Sequence, residues 1–207
     1  MSVNIAVMAS GSGSNFEEVA RACAEGTIDG KIVLLIYDRK AAYVRERAEK
    51  YGVPAEYINK SAFADESARD EYILERLRSA NAELVVLAGY LPKVGACIVD
   101  AYKNRVMNLH PSLIPAFCGV GFYGHHVHEA VLNYGARFSG ATVHFVDFDM
   151  DTGPIILQDT VPVYFNDTPD TLAERVSHVE HRLLPEAVRL FCAGKLRVHG
   201  RRVEILQ

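Results

Sequence analysis

The residues with the clearest potential for chemistry lie in one short segment, residues 108–115, which follows an apolar stretch of the chain. Asn108 and His110 are two positions apart, so on a β-strand both side chains would project from the same face. The amide can donate a hydrogen bond to an oxyanion, and the imidazole can carry a proton. This pairing predicts acyl-transfer chemistry. A second interpretation stays open, in which both side chains only bind backbone groups where a loop begins.

Residues 108–115 resemble a segment of the folate-dependent formyltransferases, which reads Asn-(Ile/Leu)-His-Pro-Ser-Leu-(Ile/Leu)-Pro. Further segments are similar to the same family and occur in the same order: residues 10–15, 87–90, 140–146 and 151–158, and a later helix with Glu180-His181. Any one match is weak, but several in register over a domain length argue against coincidence. The chain is most similar to the branch of the family that formylates glycinamide ribonucleotide.

This resemblance implies a reaction and a set of catalytic residues. The formyl group would pass from 10-formyltetrahydrofolate, a co-substrate, to the primary amine of glycinamide ribonucleotide in purine biosynthesis. Asn108 would donate to the oxyanion, His110 would move the proton, and Asp151 would orient the imidazole and favour its charged form. We therefore expect Asp151 to raise the pKa of His110. Asp147 and Asp149 compete with Asp151 for this role.

A glycine-rich loop links the predicted first strand to the first helix, and its residues are Gly11, Ser12, Gly13, Ser14 and Asn15. Backbone N–H groups at such a junction form a natural site for an anion, although a tight turn that merely needs glycine is the alternative. The loop is not a Walker motif, because no Gly-Lys-Ser/Thr is present. The resemblance assigns the loop to the phosphate of the ribonucleotide and Glu180 to its ribose hydroxyls. On helical spacing alone, Glu180 fits a solvated position beside the apolar stripe better.

The resemblance also places the folate against residues 87–94 and 146–151. The cofactor-binding residues would then be Tyr90, Leu91, Pro92, Lys93, Asn108, Val146 and Asp147. Some relatives have Met-Arg where this chain has Leu91-Pro92, so Lys93 would have to supply a charge for the folate glutamate. Residues 117–124 contain three glycines and predict a mobile loop whose contacts the sequence does not define.

The overall composition excludes several classes of protein. The chain has 207 residues, a net charge of −4 and 49% hydrophobic residues, which predicts a folded domain without a nucleic-acid-binding surface. No segment is long and apolar enough to predict a membrane span. Its four widely spaced cysteines predict reduced thiols in a cytoplasmic protein. We expect small-molecule substrates only, with a homodimer left open.

The histidines raise the question of a metal, because His125, His126 and His128 are close together in the chain. However, neither a His-Glu-x-x-His motif nor Cys/His spacing typical of a metal site occurs. We therefore predict that no metal is bound and that these histidines begin a helix. His144 either lines the site or is a structural histidine.

Short apolar runs alternate with helical periodicity as far as residue 110. This pattern predicts an α/β fold with a mostly parallel central sheet, helices on both faces and an antiparallel C-terminal portion. The resemblance implies that residues 1–207 form a single Rossmann-like formyltransferase domain. Residues 1–110 would be the nucleotide-binding half with the phosphate loop, and residues 111–207 the folate and catalytic half with the C-terminal helix. Residues 140–146 predict a half-buried strand, and residues 195–206 a β-ribbon. A helix capped by Thr168 should be kinked or restarted at Pro185.

Two other functions remain open. One is a sister reaction on the same fold, either hydrolysis of 10-formyltetrahydrofolate or formyl transfer to an aminoacyl-tRNA. The other is a non-catalytic nucleotide-binding module. A phosphate loop argues against the hydrolase, from which we also expect an N-terminal regulatory segment, while the tRNA enzyme should carry a basic C-terminal domain. The combination of Asn108, His110 and Asp151 argues against the binding module.

Overall fold

A computed structural model describes residues 2–207, which form nine strands and six α-helices. The strands are β1 (Val3–Ala9), β2 (Gly30–Tyr37), β3 (Ala55–Tyr57), β4 (Leu84–Leu87), β5 (Val106–His110), β6 (Phe138–Phe145), β7 (Ile155–Pro162), β8 (Leu196–His199) and β9 (Arg202–Ile205). The helices are α1 (Ser14–Ala24), α2 (Val44–Lys50), α3 (Glu66–Ser79), α4 (Ala96–Ala101), α5 (His125–Tyr134) and α6 (Pro169–Cys192).

The strands of this described part form one sheet in the order β3-β2-β1-β4-β5-β6-β7-β9-β8. Strands β1 to β5 are parallel, whereas β6 is antiparallel to both β5 and β7. The predicted α/β fold with an antiparallel C-terminal portion is therefore confirmed. The carboxyl ends of β1, β4 and β5 lie at one edge, where open α/β sheets bind their ligands.

The core consists of two apolar layers, one on each face of the sheet. Ile5 and Val7 of β1 belong to the layer that includes α1 and α6, whereas Ala6 and Met8 belong to the layer that includes α3 and α4. Successive side chains of a strand point to opposite faces, so a continuously apolar strand requires helices on both sides. These layers confirm that helices cover both faces.

The strand predicted over residues 140–146 is confirmed as part of β6, but the prediction that it is half-buried is wrong. On the polar side of β6, Thr142 is 0% exposed and His144 is 1% exposed. The Thr142 hydroxyl donates to the Ser112 carbonyl over 2.6 Å and accepts from the Ile114 N–H over 3.1 Å. The segment that leaves β5 therefore covers this face, and its hydrogen bonds compensate for burial of the polar side chains.

The C-terminal helix begins as predicted but does not restart. Thr168 accepts a hydrogen bond from the Thr171 N–H, and Pro169 is the first helical residue. Helix α6 then continues through Pro185 to Cys192. A proline removes one intrahelical hydrogen bond, and the surrounding turn is held against the core by buried residues such as Leu184 and Val188. No helix among residues 2–207 combines the length and apolar character needed to cross a membrane.

Candidate active site

Asn108, His110 and Asp151 meet at the end of β5. Asn108 and His110 lie on one face of this strand, and Asp151 reaches them from the loop between β6 and β7. Asp151 Oδ2 is 3.6 Å from His110 Nδ1, and Asp151 Oδ1 is 3.4 Å from Asn108 Nδ2. The structure therefore brings the three predicted catalytic residues together. Asp147 and Asp149 line the same cleft, but Asp151 is the carboxylate in contact with His110.

Asp151 has an uncommon backbone conformation, with φ of +57°. Such a conformation is unusual for a residue other than glycine, and Asp is one of the residue types that tolerate it best. The Gly119 N–H donates to Asp151 Oδ2 over 2.8 Å and helps to hold the carboxylate in place. Residues 117–124, whose contacts the sequence left undefined, thus support the Asp151 carboxylate through a backbone donor.

Each ring nitrogen of His110 faces an acceptor. Nδ1 faces Asp151, and Nε2 donates to the Phe117 carbonyl over 2.9 Å. Burial nevertheless lowers the pKa of His110, and the opposing effects of Asp151 and of the Phe117 carbonyl do not overcome it. The expected upward shift is therefore wrong, because desolvation of the charged ring outweighs its partners.

The pKa of Asp151 is lowered as well, but here burial opposes the shift. Burial by itself would raise its pKa, but hydrogen bonding with His144, the charge of His110 and the Gly119 N–H together lower it. Burial therefore favours the neutral form of the His110 imidazole, whose Nδ1 faces the Asp151 carboxylate. Such a histidine is prepared to accept a proton from a substrate.

His144, for which the sequence left a site role and a structural role open, lies in this cluster. It pairs with Asn108 across the β5–β6 ladder. Its Nδ1 donates to the Phe145 carbonyl over 2.8 Å, and its Nε2 lies 3.1 Å from Asn108 Nδ2 and 3.6 Å from Asp151 Oδ1. Period-two alternation had already put His144 on the polar side of β6, but its cross-strand partner depends on the register.

A cleft beside the catalytic cluster is lined by every residue predicted to bind the folate: Tyr90, Leu91, Pro92, Lys93, Asn108, Val146 and Asp147. Residues outside the segments 87–94 and 146–151 also line it, among them Phe122, Tyr123, Gly124 and His144. The buried Ser10 hydroxyl accepts from the Leu91 N–H over 3.0 Å, which ties the wall of the cleft to the end of β1. The cleft is thus apolar along its walls, with titratable groups at one side.

The glycine-rich loop and Glu180 also meet, although they come from opposite ends of the chain. Gly13 has φ of +77° and caps α1. Asn15 Nδ2 donates to Glu180 Oε2 on α6 over 3.0 Å, and burial raises the pKa of Glu180. Glu180 is therefore not the solvated residue that helical spacing favours, but lies next to the loop from residue 11 to residue 15.

The three neighbouring histidines do not form a common site. His125 is 3.5 Å from Asp170, and His126 is 3.4 Å from Glu129. His128 is buried in α5, which lowers its pKa to about 4. Within residues 2–207, no group of three or more His, Cys, Asp or Glu side chains is arranged to hold a metal ion. As predicted, these histidines begin a helix.

Comparison with known proteins agrees with the fold. The family model described as formyl transferase matches residues 3–188. The chain is 39% identical to the chloroplastic phosphoribosylglycinamide formyltransferase of Arabidopsis thaliana over 98% of this chain and 70% of the relative. It is 37% identical to the phosphoribosylglycinamide formyltransferase of Bacillus subtilis over 89% and 92% of the two chains.

A solved structure of another protein is also similar to this chain. Glycinamide ribonucleotide transformylase 1 from Symbiobacterium toebii superposes with a TM-score of 0.95 at 42% identity, covering 99% of this chain and 94% of the other. The family match covers most of the chain, including all three residues of the catalytic cluster. The chain therefore belongs to the formyl transferase family.

Proposed function

We propose that the chain transfers the formyl group of 10-formyltetrahydrofolate to the primary amine of glycinamide ribonucleotide, a step of purine biosynthesis. The observation that carries this proposal is the meeting of Asn108, His110 and Asp151 beside an apolar cleft. The names of the similar proteins describe this same activity. The reaction replaces the bond from the formyl carbon to the folate nitrogen by a bond to the substrate amine.

The two substrates would approach the cluster from different sides. The folate occupies the cleft between residues 87–94 and 146–151, where apolar side chains cover its ring system. The ribonucleotide phosphate binds the N–H groups of residues 11–15, and Glu180 accepts hydrogen bonds from its ribose. Residues 1–110 then supply the phosphate site and one wall of the cleft. Residues 111–207 supply Asp151 and Glu180.

The catalytic residues stabilise charge as it develops. When the amine attacks the formyl carbon, the carbonyl oxygen becomes an oxyanion, to which the Asn108 amide donates. His110 accepts the proton that the amine nitrogen loses and becomes charged next to Asp151. It then gives this proton to the departing folate nitrogen. The products are the formylated ribonucleotide and tetrahydrofolate, so no net proton is gained or lost.

A direct assay separates this function from its alternatives. Purified protein with both substrates should produce tetrahydrofolate and formylated ribonucleotide in equal amounts. Release of formate without the ribonucleotide, at the same rate, would instead indicate a hydrolase. Binding of the ribonucleotide without turnover of either substrate would indicate a non-catalytic module.

A further inference from the structure

Three carbonyl groups of the glycine-rich loop, those of Gly11, Ser12 and Gly13, each accept a hydrogen bond from a residue of α1 or α2. The Gly11 carbonyl accepts from the Val44 N–H over 3.2 Å, and the Gly13 carbonyl accepts from the Glu17 N–H over 2.9 Å. Between them, the Ser12 carbonyl accepts from Arg47 Nε over 2.9 Å. Helix α2 therefore holds two of the three carbonyls, one through its backbone and one through a side chain.

The direction of a carbonyl determines the direction of the next N–H. In a trans peptide the C=O and the N–H of the same unit point in opposite directions. Because the Ser12 carbonyl points to Arg47, the Gly13 N–H points away from Arg47. By the same argument, the Ser12 N–H points away from Val44, and the Ser14 N–H points outward from the start of α1. Consecutive N–H groups with this orientation form an anion-binding nest.

Arg47 itself is held on several sides. It forms an ion pair with Glu17 of α1, and its guanidinium lies 5.2 Å from the centre of the Tyr43 ring. Its side chain is 24% exposed. These contacts fix the planar guanidinium, so Nε is a donor of defined position rather than a freely moving charge. Val44 adds to this precision, because it packs directly beneath Gly13.

We propose that Arg47 is a positioning residue for the phosphate of the ribonucleotide, which it serves through the Ser12 carbonyl. This inference rests on the proposed function, since it concerns the same phosphate. Without Arg47, the peptide between Ser12 and Gly13 is free to rotate. The Ser12 carbonyl oxygen would then face the phosphate and repel it. The Gly13 N–H would no longer donate to the phosphate.

The test compares Arg47→Met with Lys50→Met. Lys50 is a matched control, because its Nζ also pairs with Glu17, over 2.7 Å, but it makes no contact with the loop carbonyls. Arg47→Met should raise the KM for the ribonucleotide by about 10-fold, the loss expected for one charge-assisted hydrogen bond. It should leave kcat and the KM for the folate unchanged. Lys50→Met should leave all three values unchanged.

Salt separates positioning from simple attraction of the phosphate by a positive charge. A long-range attraction is screened as ionic strength rises, whereas an orientation of the peptide is not. The 10-fold rise in the ribonucleotide KM of Arg47→Met over the wild type should therefore persist at high salt. The same substitution should also raise the inhibition constant of inorganic phosphate. If Arg47→Met does not fold, Arg47→Lys carries the test, because a point donor replaces the planar group and the ribonucleotide KM alone should rise.

Several outcomes would overturn the inference. The inference is wrong if Arg47→Met leaves the ribonucleotide KM unchanged or raises the folate KM equally. It is also wrong if the difference in ribonucleotide KM between Arg47→Met and the wild type disappears at high salt. Wild-type protein that neither binds nor formylates the ribonucleotide would refute the proposed function itself. Wild-type protein that does both, with Arg47→Met equal to it, would refute only the role of Arg47.

Discussion

Asp151 is the residue on which the catalytic cluster depends most. It is in contact with the His110 ring and the Asn108 amide, and it receives the Gly119 N–H. Its backbone adopts φ of +57°, a conformation that costs free energy and persists only where surrounding contacts favour it. A single side chain thus links strand β5 to the loop of residues 117–124.

Removing any member of the cluster should reduce turnover. We expect Asn108→Ala, His110→Ala and Asp151→Asn each to lower kcat by about 100-fold or more, because each serves charge that develops during transfer. The triple variant should lose far less than the product of the single losses, since the residues act as one unit. Steady-state kinetics and thermal melting of each variant measure both effects. Asp149→Asn is the control, because Asp149 lines the cleft without touching His110; an equal loss there would contradict the assignment.

The buried position of His110 sets the pH dependence. Burial lowers its pKa, so the neutral ring that accepts the proton persists to lower pH than an exposed histidine would allow. Activity should be constant near neutral pH and fall as pH decreases through an apparent pKa below about 6.5. Asp151→Asn removes a group that raises the pKa, so the acid limb of its residual activity should move lower still. A profile of kcat/KM against pH whose limb lies above 6.5 would contradict this prediction.

At the scale of elements, the site is assembled by hydrogen bonds between segments that are distant in sequence. Thr142 of β6 holds the segment after β5, and Gln158 of β7 donates to the same Thr142 hydroxyl over 2.9 Å. At the end of β1, residues of α2 donate hydrogen bonds to the loop that precedes α1. Neighbouring elements therefore help to fix the segment after β5 and the loop before α1.

The role of the loop between β1 and α1 can be tested by adding one methyl group, in Gly13→Ala. At Gly13 an added Cβ would lie 2.4 Å from Val44 Cγ2, in a backbone conformation with φ of +77°. Gly13→Ala should therefore displace the loop and raise the KM for the ribonucleotide, while folate binding stays nearly intact. Gly26→Ala is a matched control, because Gly26 has φ of +75° but no atom within 4 Å of an added Cβ. It should show the same backbone penalty in thermal melting with unchanged kinetics. Equal weakening of both substrates by Gly13→Ala would indicate general damage to the fold.

At the scale of the whole molecule, segments that are far apart in the described chain are brought together. Asn15 near the start of α1 and Glu180 in α6 are 165 positions apart but share a hydrogen bond. Helices α1 and α6 pack in the same apolar layer, through residues such as Phe16 and Val176. The proposed ribonucleotide site is therefore a product of the complete fold.

The proposed formyl transfer requires proton transfer but no metal ion. We expect activity to survive exhaustive chelation, because the proposed proton transfer uses His110 and Asp151 alone. Activity measured before and after treatment with a chelator, together with metal analysis, tests this. Stoichiometric zinc whose removal abolishes activity and whose return restores it would refute the proposed mechanism.

Much of the fold and part of the site follow from local patterns in the sequence. The alternation of strands and helices predicts the sheet, and the spacing of Asn108 and His110 places them on one face of β5. Glycines 11 and 13 predict the turn before α1. These features depend on residues near one another in the chain, so backbone periodicity and glycine chemistry are sufficient.

The remaining features depend on contacts that only the tertiary structure creates. The sequence offers three aspartates in residues 147–151, and the left-handed conformation of Asp151 with the Gly119 N–H decides which one reaches His110. The covering of β6 on both faces depends on the segment after β5. The downward shift of the His110 pKa has the same origin, since desolvation depends on which segments exclude water from the ring. The sequence by itself determined which groups can do the chemistry and on which elements they lie; long-range packing decided their partners, because burial and hydrogen bonding are properties of the assembled fold.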